Sequence, residues 1–354
     1  MRFLSFTLLL TAAGLLSAQS RNLDIYWIDA EGGASTLVVS PSGESMLIDT
    51  GYNTGDRDAK RIYAAAQQAG LKKIDYVVIS HFHADHAGGL PALSKMIPLG
   101  QLYGRSNAEL EPQNQQWLDN FNNAAAAKRT VVKAGDEIPL KGVRTEVVIS
   151  DAKPIAKPVK GAGAANALCA DAENKAPAGP ENQRMVGVLL TYGKFKLLNL
   201  ADLDWEREMA LVCPVNKLGA VTLYHVSRHG GLDDSAAPAF LGAIRPQVVV
   251  MNNGPRKGLG QRDNTVKSTT PGAKPYEKNS YLRLAGLPGI EGIWQGHLSL
   301  LDRDPQHNTS ENMIANLEDT ADCKGNWIKA SVAPDGKFTI TNGRNGFSKT
   351  YTAR

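Results

Sequence analysis

A chain of 354 residues with 42% hydrophobic side chains can bury a sizeable core, as one large domain or two ordinary ones. Its formal net charge of +4 is too small to imply a nucleic-acid surface by itself, and nothing in the composition points to disorder. The first residues, "MRFLSFTLLLTAAGLLSAQS", carry Arg2, an apolar run from Phe3 to Leu16 and then small residues, the pattern of a secretory signal peptide over residues 1–18. The run is shorter than the roughly 20 apolar residues of a spanning helix, and no cysteine lies near the cleavage region. A secreted or periplasmic protein without stable membrane association is therefore expected.

Short strands come next, at Leu23 to Asp29, Ser35 to Ser40 and Ser45 to Gly51, the last two joined as a hairpin by "PSG". An alanine-rich helix is predicted from Asp58 to Ala69, closed by Gly70. The strand "IDYVVIS", Ile74 to Ser80, is apolar enough to be buried on both faces. A helix is expected over Gln113 to Lys128 and a strand over Arg144 to Ser150. The stretch from Asp151 to Gln183, rich in Ala, Pro, Gly and Lys, reads as a long irregular loop, a functional flap or mobile insert.

Strands resume at "MVGVLLTYG" and "KFKLLNLAD". A helix at Asp204 to Leu211, the strand Val221 to Ser227, a helix at "PAFLGAI" and the strand "QVVVMNNG" follow. The second half thus repeats the first, which fits one layered α/β sandwich over residues 19–302 better than two separate domains. Residues 303–354 read as a C-terminal β extension packed on it, a hairpin turning at Pro-Asp-Gly between Ser331 and Lys337. The three cysteines allow one disulfide; a Cys169 to Cys323 bridge and buried or free thiols are both open, with Cys213 at a helix end.

Three of the seven histidines crowd into "SHFHADHAGG", straight after a buried strand. Imidazole and carboxylate donors in H-x-H-x-D-H suit zinc and similar ions. A loop can aim His81 and His83 at one ion and Asp85 and His86 at a second, roughly 3.5–4 Å away. Gly88 and Gly89 let the loop turn tightly. Partners are expected from Asp202, at the end of "KFKLLNLAD", and from His229 in "SRHGG". His225 lies within its strand and reads as packed or hydrogen-bonded there. Asp49 in "LIDTG" could orient a ligand histidine or cap the turn at Gly51. His297 reads as structural; Asn252 and Asn253 could face the site or make a plain turn.

H-x-H-x-D-H after a buried strand, D-T-G upstream, and Asp202 and His229 downstream resemble the metallo-β-lactamase superfamily, over roughly Leu23 to Gly254. The resemblance implies an αββα sandwich of two similar halves with one or two divalent ions, zinc or manganese, at one edge. "IDAEGGASTLVVSPSGESMLIDTG", "NLADLDWERE" and "RHGG" look like the branch that includes the hydrolase domain of bacterial competence (DNA-uptake) channel proteins. One departure stands out: no histidine occurs between His86 and Asp202. Glu181 or Asn182 in "PENQRMVGVLL" could supply an oxygen instead, giving a site more tolerant of manganese. Arg228 replaces the first of a histidine pair common in that branch, and "MNNGPRKG" lacks its late histidine.

The reading is an exported metal-dependent hydrolase in which a metal-bound hydroxide attacks an ester-type centre. Asp202 would bridge, and Asp85 would orient or deprotonate the water. The resemblance leans toward phosphodiesters, and Arg228 could bind a phosphate oxygen. The substrate would be a small molecule or a phosphodiester, with nucleic acid only weakly supported. Lactone, β-lactam or thioester hydrolysis, and a non-catalytic metal-dependent binding protein, are the alternatives.

Overall fold

The computed structural model describes residues 22–124, 129–231, 234–261, 269–270, 275–302 and 304–354. The expected signal peptide and the end of the helix expected to reach Lys128 lie outside them. The strands are β1 (Leu23–Trp27), β2 (Thr36–Val39), β3 (Ser45–Ile48), β4 (Ile74–Ile79), β5 (Leu99–Gly104), β6 (Thr130–Val131), β7 (Glu137–Ile138), β8 (Arg144–Ser150) and β9 (Lys153–Pro154). They continue as β10 (Gly187–Tyr192), β11 (Phe195–Asn199), β12 (Leu223–His225), β13 (Val248–Met251), β14 (Gly292–His297), β15 (Ile314–Asn316), β16 (Ile328–Val332), β17 (Lys337–Asn342) and β18 (Ser348–Thr352). The helices are α1 (Arg57–Gln68), α2 (Ala84–Ala87), α3 (Leu90–Leu93), α4 (Gln115–Asn123), α5 (Pro180–Gln183), α6 (Trp205–Val212), α7 (Pro238–Ile244) and α8 (Ser280–Ala285).

One sheet runs β18-β17-β16-β1-β2-β3-β4-β5-β6; the other runs β15-β14-β13-β12-β11-β10-β8-β7, with β9 beside β8. Strand alternation divides the apolar side chains between two faces. Leu23, Ile25 and Trp27 of β1 meet Val188 and Leu190 of β10, Leu197 of β11 and Val248 and Val250 of β13 in the core between the sheets. Tyr26, Val77 and Ile79 face outward beneath Ile62 and Ala66 of α1, Leu93 of α3 and Phe121 of α4. Leu189, Leu198 and Val249 face outward on the other side, beneath Trp205 and Leu211 of α6 and Phe240 and Leu241 of α7. Three apolar layers therefore join four layers of structure, the αββα sandwich.

β3, β4, β5 and β6 run parallel in the first sheet, and β11, β12, β13, β14 and β15 in the second. Buried parallel strands leave their carboxyl ends as the natural place for polar loops. The loops after β3, β4, β11 and β12 carry Asp49, His81, Asp202 and His229. The sheets are tied together there by the Val186 amide donating to the Ser80 carbonyl at 2.8 Å.

The tail hairpin turns where Pro-Asp-Gly predicts, with Val332 opposite Phe338. It carries a third strand, β18, and β16 pairs antiparallel with β1, so these strands extend the first sheet. The disulfide joins Cys169 to Cys213, leaving Cys323 as a buried free thiol, which corrects the Cys169 to Cys323 alternative. The stretch 151–183 is pinned rather than loose. Besides the disulfide, Val159 N donates to Lys217 O and Asn166 N to Pro214 O, both at 2.9 Å. β5, with two glycines and no clear alternation, and the short α8 escape the sequence reading.

Candidate metal centre

The cluster loop is anchored from behind. Asp49 accepts from the Ser80 amide and the Ser80 hydroxyl, each at 2.7 Å, and its Oδ2 lies 2.7 Å from His86 Nδ1. The glycines after the histidines serve close approach, since a Cβ on Gly89 would fall 2.1 Å from the Thr50 carbonyl. Asp49, Ala201, Arg228 and His229 all hold positive φ, at 62°, 42°, 56° and 56°. Left-handed backbone in non-glycine residues costs of order 1–3 kcal/mol each and concentrates at functional sites.

Asp85, His86, Asp202 and His229 bring one donor atom each to within 4.8 Å of one another, and all four residues are buried. His86 Nε2 lies 3.3 Å from both Asp85 Oδ2 and Asp202 Oδ1, and His229 Nε2 lies 3.2 Å from the same two oxygens. His86 Nε2, His229 Nε2 and Asp202 Oδ1 are buried without a hydrogen-bond partner. Orphaned buried polar atoms are costly, so converging ones call for a ligand. Two imidazoles and two carboxylates form a donor set suited to zinc or manganese, and the pocket fits such an ion.

Burial alone would raise the Asp85 and Asp202 carboxyls. The neighbouring imidazoles, together with Lys257 at Asp85, overcome it and hold both well below the usual range. Burial would lower His86, yet Asp202, Asp85 and Asp49 raise it well above the ordinary value. His81 goes the other way: burial, then the charges of His86 and His83, push it well below. Burial likewise brings His225 down to about 4.

His81 and His83 sit beside this group but outside it. His81 Nε2 lies 2.9 Å from His83 Nδ1, and the His81 ring centroid is 4.1 Å from that of His86. Asn182 lines the same cavity as His83 and Asp202, and its buried Oδ1 has no hydrogen-bond partner. Glu181 is placed elsewhere, which corrects its candidacy for the first ion. Its carboxylate accepts from Phe82 N at 2.7 Å and forms a fully buried ion pair with Arg105, through Nε at 2.9 Å and through Nη2. Arg228 lines the cavity and is braced by Asp234, with Nε at 2.8 Å. His225 is not part of the four-donor group. Asn252 donates to Gly33 O at 3.1 Å, Asn253 to His297 O at 2.8 Å, and His297 Nε2 lies 2.7 Å from Asp29 Oδ1.

Several residues at the site escaped the sequence reading. Lys257 Nζ forms an ion pair with Asp85 and donates to Tyr52 Oη at 2.9 Å. Glu111 approaches His83 Nε2 at 3.6 Å. Behind the His229 turn, Tyr224 Oη donates to Glu208 Oε1 at 3.0 Å and lies 2.7 Å from Ser227 Oγ. The only sequence signal for Lys257 was its place just after a buried strand. The cavity in front of the cluster, bounded by His83, Asp202, Arg228, His229 and Lys257, has a volume of about 270 Å³.

A four-layer sandwich with His and Asp donors converging at its strand ends defines the class of metallo-hydrolases built on this fold. Residues 28–158 match the model of the metallo-beta-lactamase superfamily. It is similar to Integrator complex subunit 11 of Danio rerio, 38% identical over 69 residues, covering 18% of this chain and 12% of that protein. It is 33% identical over 108 residues to the transcription termination factor FttA of Cenarchaeum symbiosum, covering 30% of this chain and 17% of the relative. A UPF0173 metal-dependent hydrolase of Anaeromyxobacter sp. (strain K) is 25% identical over 228 residues, covering 62% of this chain and 71% of the relative. The chain thus spans only a small part of the first two relatives.

Proposed function

We propose that this protein is an exported metal-dependent hydrolase acting on an ester-type bond, with phosphodiesters preferred. The observation that carries the reading is the convergence of Asp85, His86, Asp202 and His229 within 4.8 Å, with both imidazole Nε2 atoms unpartnered. Zinc or manganese bound there would polarise the substrate oxygen and lower the pKa of water. Asp49 accepts the hydrogen bond of His86 Nδ1–H, which would leave the Nε2 lone pair turned to the cluster. Asp202, between the two imidazoles, would help hold the bound metal through its Oδ1. Asp85 has the placement to orient a water and take its proton. His81, His83 and Asn182 would hold the first ion, the one expected of His81 and His83.

The phosphodiester preference is supported by the likeness to the hydrolase domain of DNA-uptake channel proteins, and by Arg228 and Lys257 on the cavity wall, where charge-assisted bonds to phosphate oxygens are strong. Export is supported by the apolar run Phe3 to Leu16 and by the Cys169–Cys213 disulfide, a bond that persists where thiols are oxidised. The test is a zinc- or manganese-reconstituted assay on bis(p-nitrophenyl) phosphate, nitrocefin, an acyl lactone and a thioester. Turnover of the phosphodiester above the others is expected. Preferential turnover of the lactone, β-lactam or thioester would replace the substrate class, and inertness on all four would favour a metal-dependent binding protein.

A further inference from the structure

Of the four donor atoms that converge in the metal centre, three are unpartnered and one is not. Asp85 Oδ2, 3.3 Å from His86 Nε2 and 3.2 Å from His229 Nε2, is also held by the Lys257 ammonium. This lysine is built into place. Its Cβ lies so near Gly32 that a Cβ there would meet it at 2.8 Å, and its carbonyl accepts from Gly254 N at 2.9 Å. The next residue, Gly258, has φ of 84° and is pressed on the His229 backbone, where a Cβ would fall 2.2 Å from the carbonyl oxygen. Tyr52 receives the ammonium from the other side, with its hydroxyl 2.9 Å away and its ring centroid at 5.2 Å. The backbone that fixes His229 therefore also fixes a positive charge against Asp85.

We propose that Lys257 is a built-in competitor for divalent metal: its ammonium takes the Asp85 corner of the centre, so the ion bound by Asp85, His86, Asp202 and His229 is held more loosely than that ligand set alone would hold it. The proposal rests on the metal-centre reading above. Both cations seek the same carboxylate oxygen, and in a buried pocket their mutual repulsion is weakly screened. An ion that enters must share Asp85 or send the ammonium back onto Tyr52. The lysine thus loosens the very site whose ligand set looks tightest.

The experiment is a zinc competition titration of the chelator-stripped full chain against a fluorescent chelator, at fixed pH, with folding checked by circular dichroism. Lys257→Met is expected to bind zinc at least tenfold more tightly, while Lys257→Arg, which keeps the charge, stays within about twofold of wild type. In an Asp85→Asn background the gain from Lys257→Met should vanish, because the coupling runs through that carboxylate. Should Lys257→Met not fold, Lys257→Gln carries the same comparison. Unchanged or weaker zinc binding in the neutral variant, or the same gain without Asp85, would overturn the proposal. A wild-type chain that takes up no zinc would instead remove the metal-centre reading, so the two failures are distinct.

Discussion

His86 Nδ1 lies 2.7 Å from Asp49 Oδ2, although the two residues stand 37 positions apart and leave different strands of the first sheet. The same carboxylate holds the Ser80 amide and hydroxyl, so one side chain sets both the path of the cluster loop and the tautomer of its last histidine. Partners of this kind are worth about 10–100-fold in metal affinity. Asp49→Asn, close in shape but able to present an amide NH₂ to Nδ1, is expected to weaken zinc binding by that order with the fold retained, as read by chelator competition and circular dichroism.

Asp202 and His229 supply two of the four converging atoms, while His225, two positions after Leu223 on the same strand, supplies none. Asp202→Ala and His229→Ala should each emerge from purification with less than about half the metal of wild type and at least ~100-fold less activity, in line with the loss of a ligand. His225→Ala should keep its metal and lose stability, since the ring is buried at the strand end. Elemental analysis of the three variants side by side separates these outcomes, and metal loss in the His225 variant would show that this ring belongs to the centre.

The centre was legible in the sequence where its residues are crowded or end a buried strand. His81, His83, Asp85 and His86 share one loop, and Asp202 and His229 follow largely apolar strands. Glu181 and Asn182 show where that kind of reading stops. They are neighbours on the one-turn helix α5, where successive side chains point about 100° apart. One is turned back onto Arg105 and Phe82, and the other is left lining the cavity. Lys257 sits in an aperiodic loop, and only the folded contact with Asp85 reveals it. The tail hairpin could be read from its turn residues. Its pairing with β1, Leu23 opposite Val332, could not, because no local pattern encodes a partner some 300 residues away.

The Cys169–Cys213 bridge closes a loop of 44 residues and fastens the stretch 151–183 to the end of α6. A cross-link of that span contributes about 2–4 kcal/mol, mainly by restricting the unfolded chain. Replacing both cysteines with serine should lower the stability by that amount in denaturant titrations. Adding reductant to wild type should reproduce the loss, while leaving the serine variant unchanged.

Arg105 and Glu181 form an ion pair with both side chains fully buried. Removing one partner of such a pair strands a charge out of water and costs about 3–5 kcal/mol, whereas replacing both with apolar residues of similar size is far milder. Glu181→Gln should therefore destabilise the protein strongly. The double replacement Arg105→Met, Glu181→Leu should recover part of the loss, reduced by the missing acceptor for the Phe82 amide. Little destabilisation by Glu181→Gln, with a larger loss in the double variant, would mean that the Phe82 contact, not the charge pairing, is what Glu181 provides.

Glu208 stands behind the His229 turn, fully buried, and accepts from Tyr224 Oη at 3.0 Å and from Ala237 N at 3.1 Å. Burial pushes its carboxyl from the ordinary 4.5 up to about 8, against the opposing pull of those hydrogen bonds. An acid raised in the folded state binds its proton more tightly there than in the unfolded chain. Its contribution to stability is thus fully present below about 4.5 and is lost as the pH climbs to about 8. Between those limits wild type should lose up to about 1.4 kcal/mol per pH unit relative to Glu208→Gln, which cannot ionise. Denaturant midpoints of the two proteins, measured from pH 5 to pH 8.5, should converge or cross as the pH rises, with wild type favoured at the acid end. A constant difference across that range would mean that Glu208 keeps one protonation state throughout and braces the Ser227 to His229 turn by its hydrogen bonds alone.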